Sequence, residues 1–229
     1  MPASSAPAQT TTTVDRYLES IYCIIGEGEV VRPSRLAAWL GVAAPTVSDA
    51  LQRLARDGWI EIAEDRSVTL TADGERTASG IVLRHRVLER WLVDVLGFDW
   101  ATADAEADAL ASAASDAVIE RLDSSMGRPA TCPHGNAIPG RTPAYSGLVA
   151  LCDLEPGTPG RVRRISEIAE HEARAFLRTL AEHGIAEGSV VEVSSIDAGP
   201  SSLRVRCGGE SLVLGADAAR WIWVEPERP

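Results

Sequence analysis

The sequence predicts a mainly α chain with a small β component: a winged helix-turn-helix head, a helical middle and a C-terminal SH3-like β-barrel. Three observations carry this. Residues 32–71 read as helix, tight turn, helix and a two-stranded wing. Residues 72–126 keep helical apolar spacing. From about residue 150 the texture changes to four or five short alternating strands with turns and one helix.

The elements follow in order. Residues 1–12 are small and polar, as in a disordered tail. Val14, Tyr17, Leu18, Ile21, Tyr22 and Ile25 repeat with helical spacing, with Thr13 as the cap and Gly26 as the stop. Pro33-Ser34 opens a second helix that Gly41 ends. Pro45 opens a third at its first turn, and Gly58 ends it. Residues 59–62 and 67–70 alternate as strands around an Asp65-Arg66-Ser67 turn. A long helix starts near 71–73 and closes at Gly97. Residues 101–127 read as one more helix, and its Ala-rich flank with Leu110 suggests close helix–helix packing, as at a dimer interface. Residues 132–147 form a Pro/Gly-rich connector. The implied domains are 13–74, 75–140 and 151–229, with a linker at 141–150.

Bulk properties narrow the class. At 229 residues, with 45% apolar and 24% charged content, the chain is an ordinary globular protein. No apolar run is long enough to span a bilayer, and the polar start is unlike a signal peptide. Four scattered cysteines suit a reduced compartment, so a cytoplasmic location is expected. All 22 basic residues are Arg, and the net charge of −11 argues against indiscriminate coating of nucleic acid. Sequence-specific binding through a local Arg face remains open to it. No Ser-His-Asp arrangement, phosphate loop or paired-acid element points to an enzyme.

The segments VDRYLESIY, APTVSDALQRLARDGWI, EDRSVTLTADGE, LRHRVLERWLVDVLGFDW, SDAVIERLD and CPHGNAIPG, in this order, resemble the diphtheria-toxin-repressor family of iron- and manganese-dependent regulators (DtxR/MntR). The resemblance spans the chain after residue 12. It implies a homodimer that binds a palindromic double-stranded DNA operator when Fe²⁺ or Mn²⁺ is bound. It also implies that Pro45, Thr46 and Ser48 meet bases and phosphates, that Ser34 and Arg35 hold backbone phosphates, and that Arg66 sits at the wing tip. Short hydroxyls and a helix N-terminus suit phosphate, and Pro45 suits thymine methyls. Asp49 stands where relatives often carry a neutral amide. It can accept from cytosine but repels phosphate.

The metal positions depart from the family. Those matching its primary site are Arg16, Asp108, Ala111 and Ser112. Arg16 cannot ligate a metal, and Ala111 and Ser112 lack ligand atoms for one in their familiar form. Asp108 keeps an oxygen, and Glu19 keeps a carboxylate that the manganese branch uses. At the second family site His85 and Glu89 match a His-x-x-x-Glu pair, one turn apart, and Asp104 replaces a histidine. The last two ligands of that site fall on Ala173 and Phe176. The resemblance therefore implies a repressor with weakened metal dependence, in which an Arg16–Asp108 ion pair stands in for the cation. The alternatives are a metal-responsive repressor using a rebuilt site of His85, Glu89, Asp104, Asp108 and Glu19, or a metal-buffering protein with weak DNA binding. Cys132-Pro-His134 reads mainly as a segment that fixes the connector.

Overall fold

The computed structural model describes residues 12–196 and 202–227. The tail expected over residues 1–12 lies outside them, save Thr12. The chain forms two compact units, Met1–Val82 and Leu83–Pro229.

The first unit holds α1 (Thr12–Gly26), α2 (Pro33–Leu40), α3 (Ala44–Arg56), β1 (Ile60–Ile62) and β2 (Val68–Leu70). Leu18, Ile21, Leu36, Val47, Leu51 and Val68 close a core over which the three helices and the hairpin pack. Pro33 and Pro45 sit in the first turns of α2 and α3, where the missing N–H costs no helical bond. The strands pair antiparallel, Ile60 with Leu70 and Ile62 with Val68. At the hairpin tip Asp65 accepts from the Ser67 N–H at 3.0 Å and the Ser67 hydroxyl at 2.6 Å. Those hydrogen bonds hold the Asp65 carboxyl below its usual range. Arg66 takes a left-handed φ of 65° between them.

The long α4 (Ala72–Asp94) starts in the first unit and ends in the second. The expected single helix over 101–127 is two: α5 (Trp100–Ala111) and α6 (Asp116–Ser125). The break has a local cause. Ser115 caps α6, its hydroxyl 3.4 Å from the Val118 N–H. Arg84 covers the freed carbonyls: it donates to Ala111 O at 3.0 Å, to Ala114 O and to Asp116. Ala103 and Ala107 are fully buried against Val87, Leu88 and Leu92 of α4, so the Ala-rich flank packs within the chain. Leu110 faces outward, 39% exposed.

Asp99 caps α5, accepting from the Thr102 N–H at 3.1 Å and its hydroxyl at 2.6 Å. Asp99→Ala is expected to cost about 1 kcal/mol in denaturant unfolding. The Thr102 hydrogen bonds lower the Asp99 pKa. The cap's charged share is therefore present above the unfolded pKa and is lost as pH falls through the folded one. The gap between wild type and variant should shrink in acid. A gap that widened in acid would contradict this.

The C-terminal part holds β3 (Val149–Ala150), β4 (Pro159–Ile165), α7 (Glu167–Glu172), α8 (Arg174–Glu182), β5 (Val190–Ile196), β6 (Ser202–Cys207), β7 (Glu210–Gly215), α9 (Ala216–Ala219) and β8 (Ile222–Pro226). The strands form one antiparallel, SH3-like sheet in the order β3-β8-β4-β5-β6-β7. β4 runs straight into a helix, α7, because Ser166 caps it by accepting from the Ile168 N–H at 3.1 Å. The backbone breaks at Ala173 before α8. Val162, Ile165, Leu177, Leu180, Val191, Val193 and Ile222 make the core of this part.

The connector lies along β4. The Ile165 N–H donates to His134 O at 2.7 Å, and the Asn136 amide donates to Ile165 O at 3.0 Å. Arg164 Nε donates to Asn136 Oδ1 at 2.7 Å, and the Tyr145 hydroxyl to Gly135 O at 2.8 Å. From α4, Arg90 reaches Cys132 O at 3.1 Å and Glu187 at 3.0 Å, while Arg86 pairs with Glu167 and Ala137 O. Strong hydrogen bonds from fixed guanidinium groups thus join the helical part, the connector and the sheet. No helix among the described residues is long and apolar enough to cross a membrane.

Candidate nucleic-acid interface and metal centre

In α3 the apolar side chains Val47, Ala50, Leu51 and Leu54 turn inward. That rotation leaves Pro45, Thr46, Ser48, Asp49, Gln52, Arg53 and Arg56 exposed on the opposite side. Ser34 is exposed at the first turn of α2, and Arg66 is exposed at the hairpin tip. Arg32 donates to Asp65 O at 2.8 Å and to its carboxylate at 3.2 Å, which ties the wing to the start of α2. Arg35 is more committed than its position in the sequence suggests. It pairs with Glu29 at 2.6 and 3.3 Å, and its guanidinium lies 5.0 Å from the Trp39 ring centroid.

Arg16 is exposed on α1 and donates to the Leu40 carbonyl at 3.1 Å. Leu40 ends α2, where carbonyls lack helical partners and carry partial negative charge. Within its own unit Arg16 therefore serves a helix terminus. Glu19, one turn on, is half-buried.

In the second unit His85 lies between two acids. Its Nδ1 is 3.0 Å from Asp108 and its Nε2 is 3.6 Å from Asp104. Asp108 is exposed and Asp104 half-buried. Glu89 looks elsewhere. It is 1% exposed, and its Oε1 lies 2.9 Å from Nδ1 of His134, which is fully buried. Burial pushes the Glu89 carboxyl up, but the His134, His85 and Arg86 charges outweigh it and hold the carboxyl below its usual range. Cys132 completes the group: one donor atom each of Glu89, Cys132 and His134 lie within 4.8 Å of one another, all buried. The edge of Trp100 packs on the His134 ring, 4.6 Å between centroids.

A carboxylate, a thiol and an imidazole are the ligand types of divalent transition metals, and a thiolate favours the softer ones. The donors at Glu89, Cys132 and His134 are close enough to one another to share one ion. They fit a cation as three ligands of its shell. Sequence reasoning placed Glu89 with His85 and treated Cys132-Pro-His134 as connector. The signal for the buried group was present in the Cys-x-His spacing. Its third member became visible only when the connector folded back onto α4.

Three family profiles match in succession: the iron-dependent repressor N-terminal DNA-binding domain over residues 9–68, the iron-dependent repressor metal-binding and dimerisation domain over 71–140, and the FeoA domain over 149–226. The iron-dependent repressor IdeR of Mycobacterium tuberculosis is 32% identical over 224 residues, covering 93% of this chain and 96% of its own. The diphtheria toxin repressor of Corynebacterium diphtheriae is 31% identical over 222 residues, with the same coverage of 93% and 96%. A solved manganese-dependent transcriptional repressor in complex with manganese superposes with a TM-score of 0.80 at 32% identity, covering 93% of this chain and 100% of that one. With its three domains in this order and this identity over nearly its whole length, the chain belongs to the iron-dependent repressor family.

Proposed function

We propose that the chain is a dimeric, sequence-specific DNA-binding transcriptional repressor whose dependence on Fe²⁺ or Mn²⁺ is weakened. One observation carries the DNA reading: beyond Ala44 and Pro45 in its first turn, the exposed side of α3 is wholly polar, and the helix packs on the hairpin whose tip is Arg66. A helix with a polar outer face held on a small domain suits the major groove of B-DNA. Ser34, Thr46, Ser48, Arg53, Arg56 and Arg66 are placed to meet phosphates, and Pro45 and Asp49 to meet base edges. Arg35, locked to Glu29 and stacked on Trp39, orients the start of α2. Val95, Leu96, Phe98, Leu110 and Val118 are large exposed apolar side chains of the helical part that a second copy would cover. The location is the cytoplasm, and the action is binding, not catalysis.

Weakened metal dependence rests on the residues at the family's primary positions. Arg16 supplies a fixed charge to the end of α2, and Ala111 and Ser112 bring no carboxylate or imidazole. The residues that would hold a cation are Glu89, Cys132 and His134. A bound ion would add a fixed positive charge and cross-link α4 to the connector. A second reading, a metal-responsive switch, draws support from His85 between Asp104 and Asp108.

Operator binding before and after exhaustive chelation separates the two. The operator would be selected from random duplexes by the protein itself and titrated against salt. Chelation is expected to change affinity by less than about 5-fold, the low end of ordinary allosteric coupling. Arg16→Met should weaken metal-free binding. A loss of about 100-fold that Mn²⁺ or Fe²⁺ restores would overturn weakened dependence. A shallow salt slope without sequence preference, alongside tight metal binding, would point to a metal buffer instead.

A further inference from the structure

We propose that Gln52 is a base-reading residue that works beside Asp49, so that each half-site presents an adenine and a cytosine at neighbouring base pairs. The proposal rests on the DNA-binding reading above and adds a specificity residue to it.

The rotation of α3 is set by Val47, Ala50, Leu51 and Leu54 in the core. Ser48 and Asp49 lie three and four residues after Pro45, Gln52 lies four and three after them, and Arg56 four after Gln52, so these residues form one stripe on the opposite side. Arg53 and Arg56 occupy the last turn. Gln52 is the only long neutral polar side chain in that stripe, and it stands at its middle. The side chains of Gln52 and Asp49 take no hydrogen-bond or ion-pair partner among the described residues. Their polar atoms remain available, whereas Arg32 and Arg35 of the same unit are committed to Asp65 and Glu29.

The chemistry then distinguishes the two positions. A Gln amide offers one donor and one acceptor in a plane, which matches N7 and N6 of adenine. The Asp49 carboxylate only accepts. It pairs with the N4 amino group of cytosine and meets repulsion from the acceptor-lined edge of guanine. Three residues of helix advance about 4.5 Å along the axis, a little over the roughly 3.4 Å step between base pairs. The two side chains therefore address neighbouring pairs. Arg53 and Arg56 offset the repulsion between Asp49 and the backbone by holding phosphates on either side.

The test is selection of duplexes from a random library by the full chain and by Gln52→Ala, followed by salt-titrated affinities. Gln52 is exposed in mid-helix, and alanine is the best helix former, so folding is preserved. The variant is expected to lose the adenine preference at one symmetry-related pair of positions and to keep the rest of the consensus. Its affinity for the wild-type consensus should fall about 5- to 100-fold for each half-site, with the salt slope unchanged. Gln52→Arg should move the preference at that position from adenine towards guanine. An unchanged consensus and affinity for Gln52→Ala would overturn the proposal. So would a uniform loss of affinity with a salt slope shallower by about one, which marks a phosphate contact. Failure of the wild-type chain to select any consensus would overturn the DNA-binding reading itself, a result distinct from either.

Discussion

Glu89→Ala is expected to cost about 3–5 kcal/mol, the usual cost of removing one member of a buried ion pair. Glu89 is 1% exposed, its carboxylate lies 2.9 Å from a fully buried His134, and Arg86 is only 8% exposed nearby. Alanine would leave the imidazole and the guanidinium facing a void. Neither can reach water without opening the contact between α4 and the connector. A fall of roughly 10 °C in the thermal midpoint follows for a chain of this size. Glu89→Gln keeps the volume and a polar tip but no charge, and should cost about 1–3 kcal/mol.

The pH dependence has a definite sign. The folded-state pKa of Glu89 is lowered, so its contribution is present above the unfolded pKa and is lost as pH falls through the folded one. The gap between wild type and Glu89→Gln should narrow in acid. Metal adds a second signature. A cation held by Glu89, Cys132 and His134 would stabilise the wild type by about 2.7 kcal/mol at a hundredfold excess over Kd and so raise its midpoint. The alanine variant should show little of that gain. A cost below about 1 kcal/mol for Glu89→Ala would show that this carboxylate is not a buried charge.

Gly135→Ala should disrupt the seat of the connector on β4. A Cβ at Gly135 would lie 1.8 Å from the Arg163 carbonyl oxygen, 2.7 Å from its carbon and 2.9 Å from Arg164 Cα. All three are backbone atoms of a central strand, so the connector itself must lift. That movement breaks the Ile165-to-His134 and Asn136-to-Ile165 hydrogen bonds. It also displaces His134 from Glu89. The φ of +83° adds left-handed strain. Together these should cost about 3 kcal/mol or more. Gly140→Ala is the control. Its φ is +79°, but nothing lies within 4 Å of its Cβ, so only the backbone strain of about 1–2 kcal/mol applies. Equal losses in unfolding experiments would show that the contact with Arg163 carries no weight.

Local signals made the head easy to read. Pro33 and Pro45 mark helix starts, and the hairpin around Arg66 falls where its turn residues place it. The exposed positions of α3 follow from its apolar period, so Pro45, Thr46, Ser48 and Asp49 were legible as an outward row. The break between α5 and α6 was harder to see, because an Ala-rich run continues the helical pattern through it. Ser115 as a cap decides that break, and Arg84, brought from α4, completes it. The helix α7 was missed for a similar reason: a single capping Ser166 turns the end of a strand into a helix.

The candidate metal residues show the same limit more sharply. His85 and Glu89 are one turn apart, and spacing alone puts them on one helix face. Their directions differ in the structure, His85 towards Asp104 and Asp108 and Glu89 towards His134. Arg35 stands at a position that suits a phosphate ligand, and in the structure Glu29 and Trp39 hold its guanidinium. By itself, the order of residues determined the three-part architecture and the outward row of α3, because caps, turns and apolar periods act within a few residues of chain. Only the tertiary structure decided which charged groups are buried together. Glu89, Cys132 and His134 lie more than forty residues apart from end to end, and their meeting depends on how the connector packs against α4 and β4. No local spacing encodes that contact.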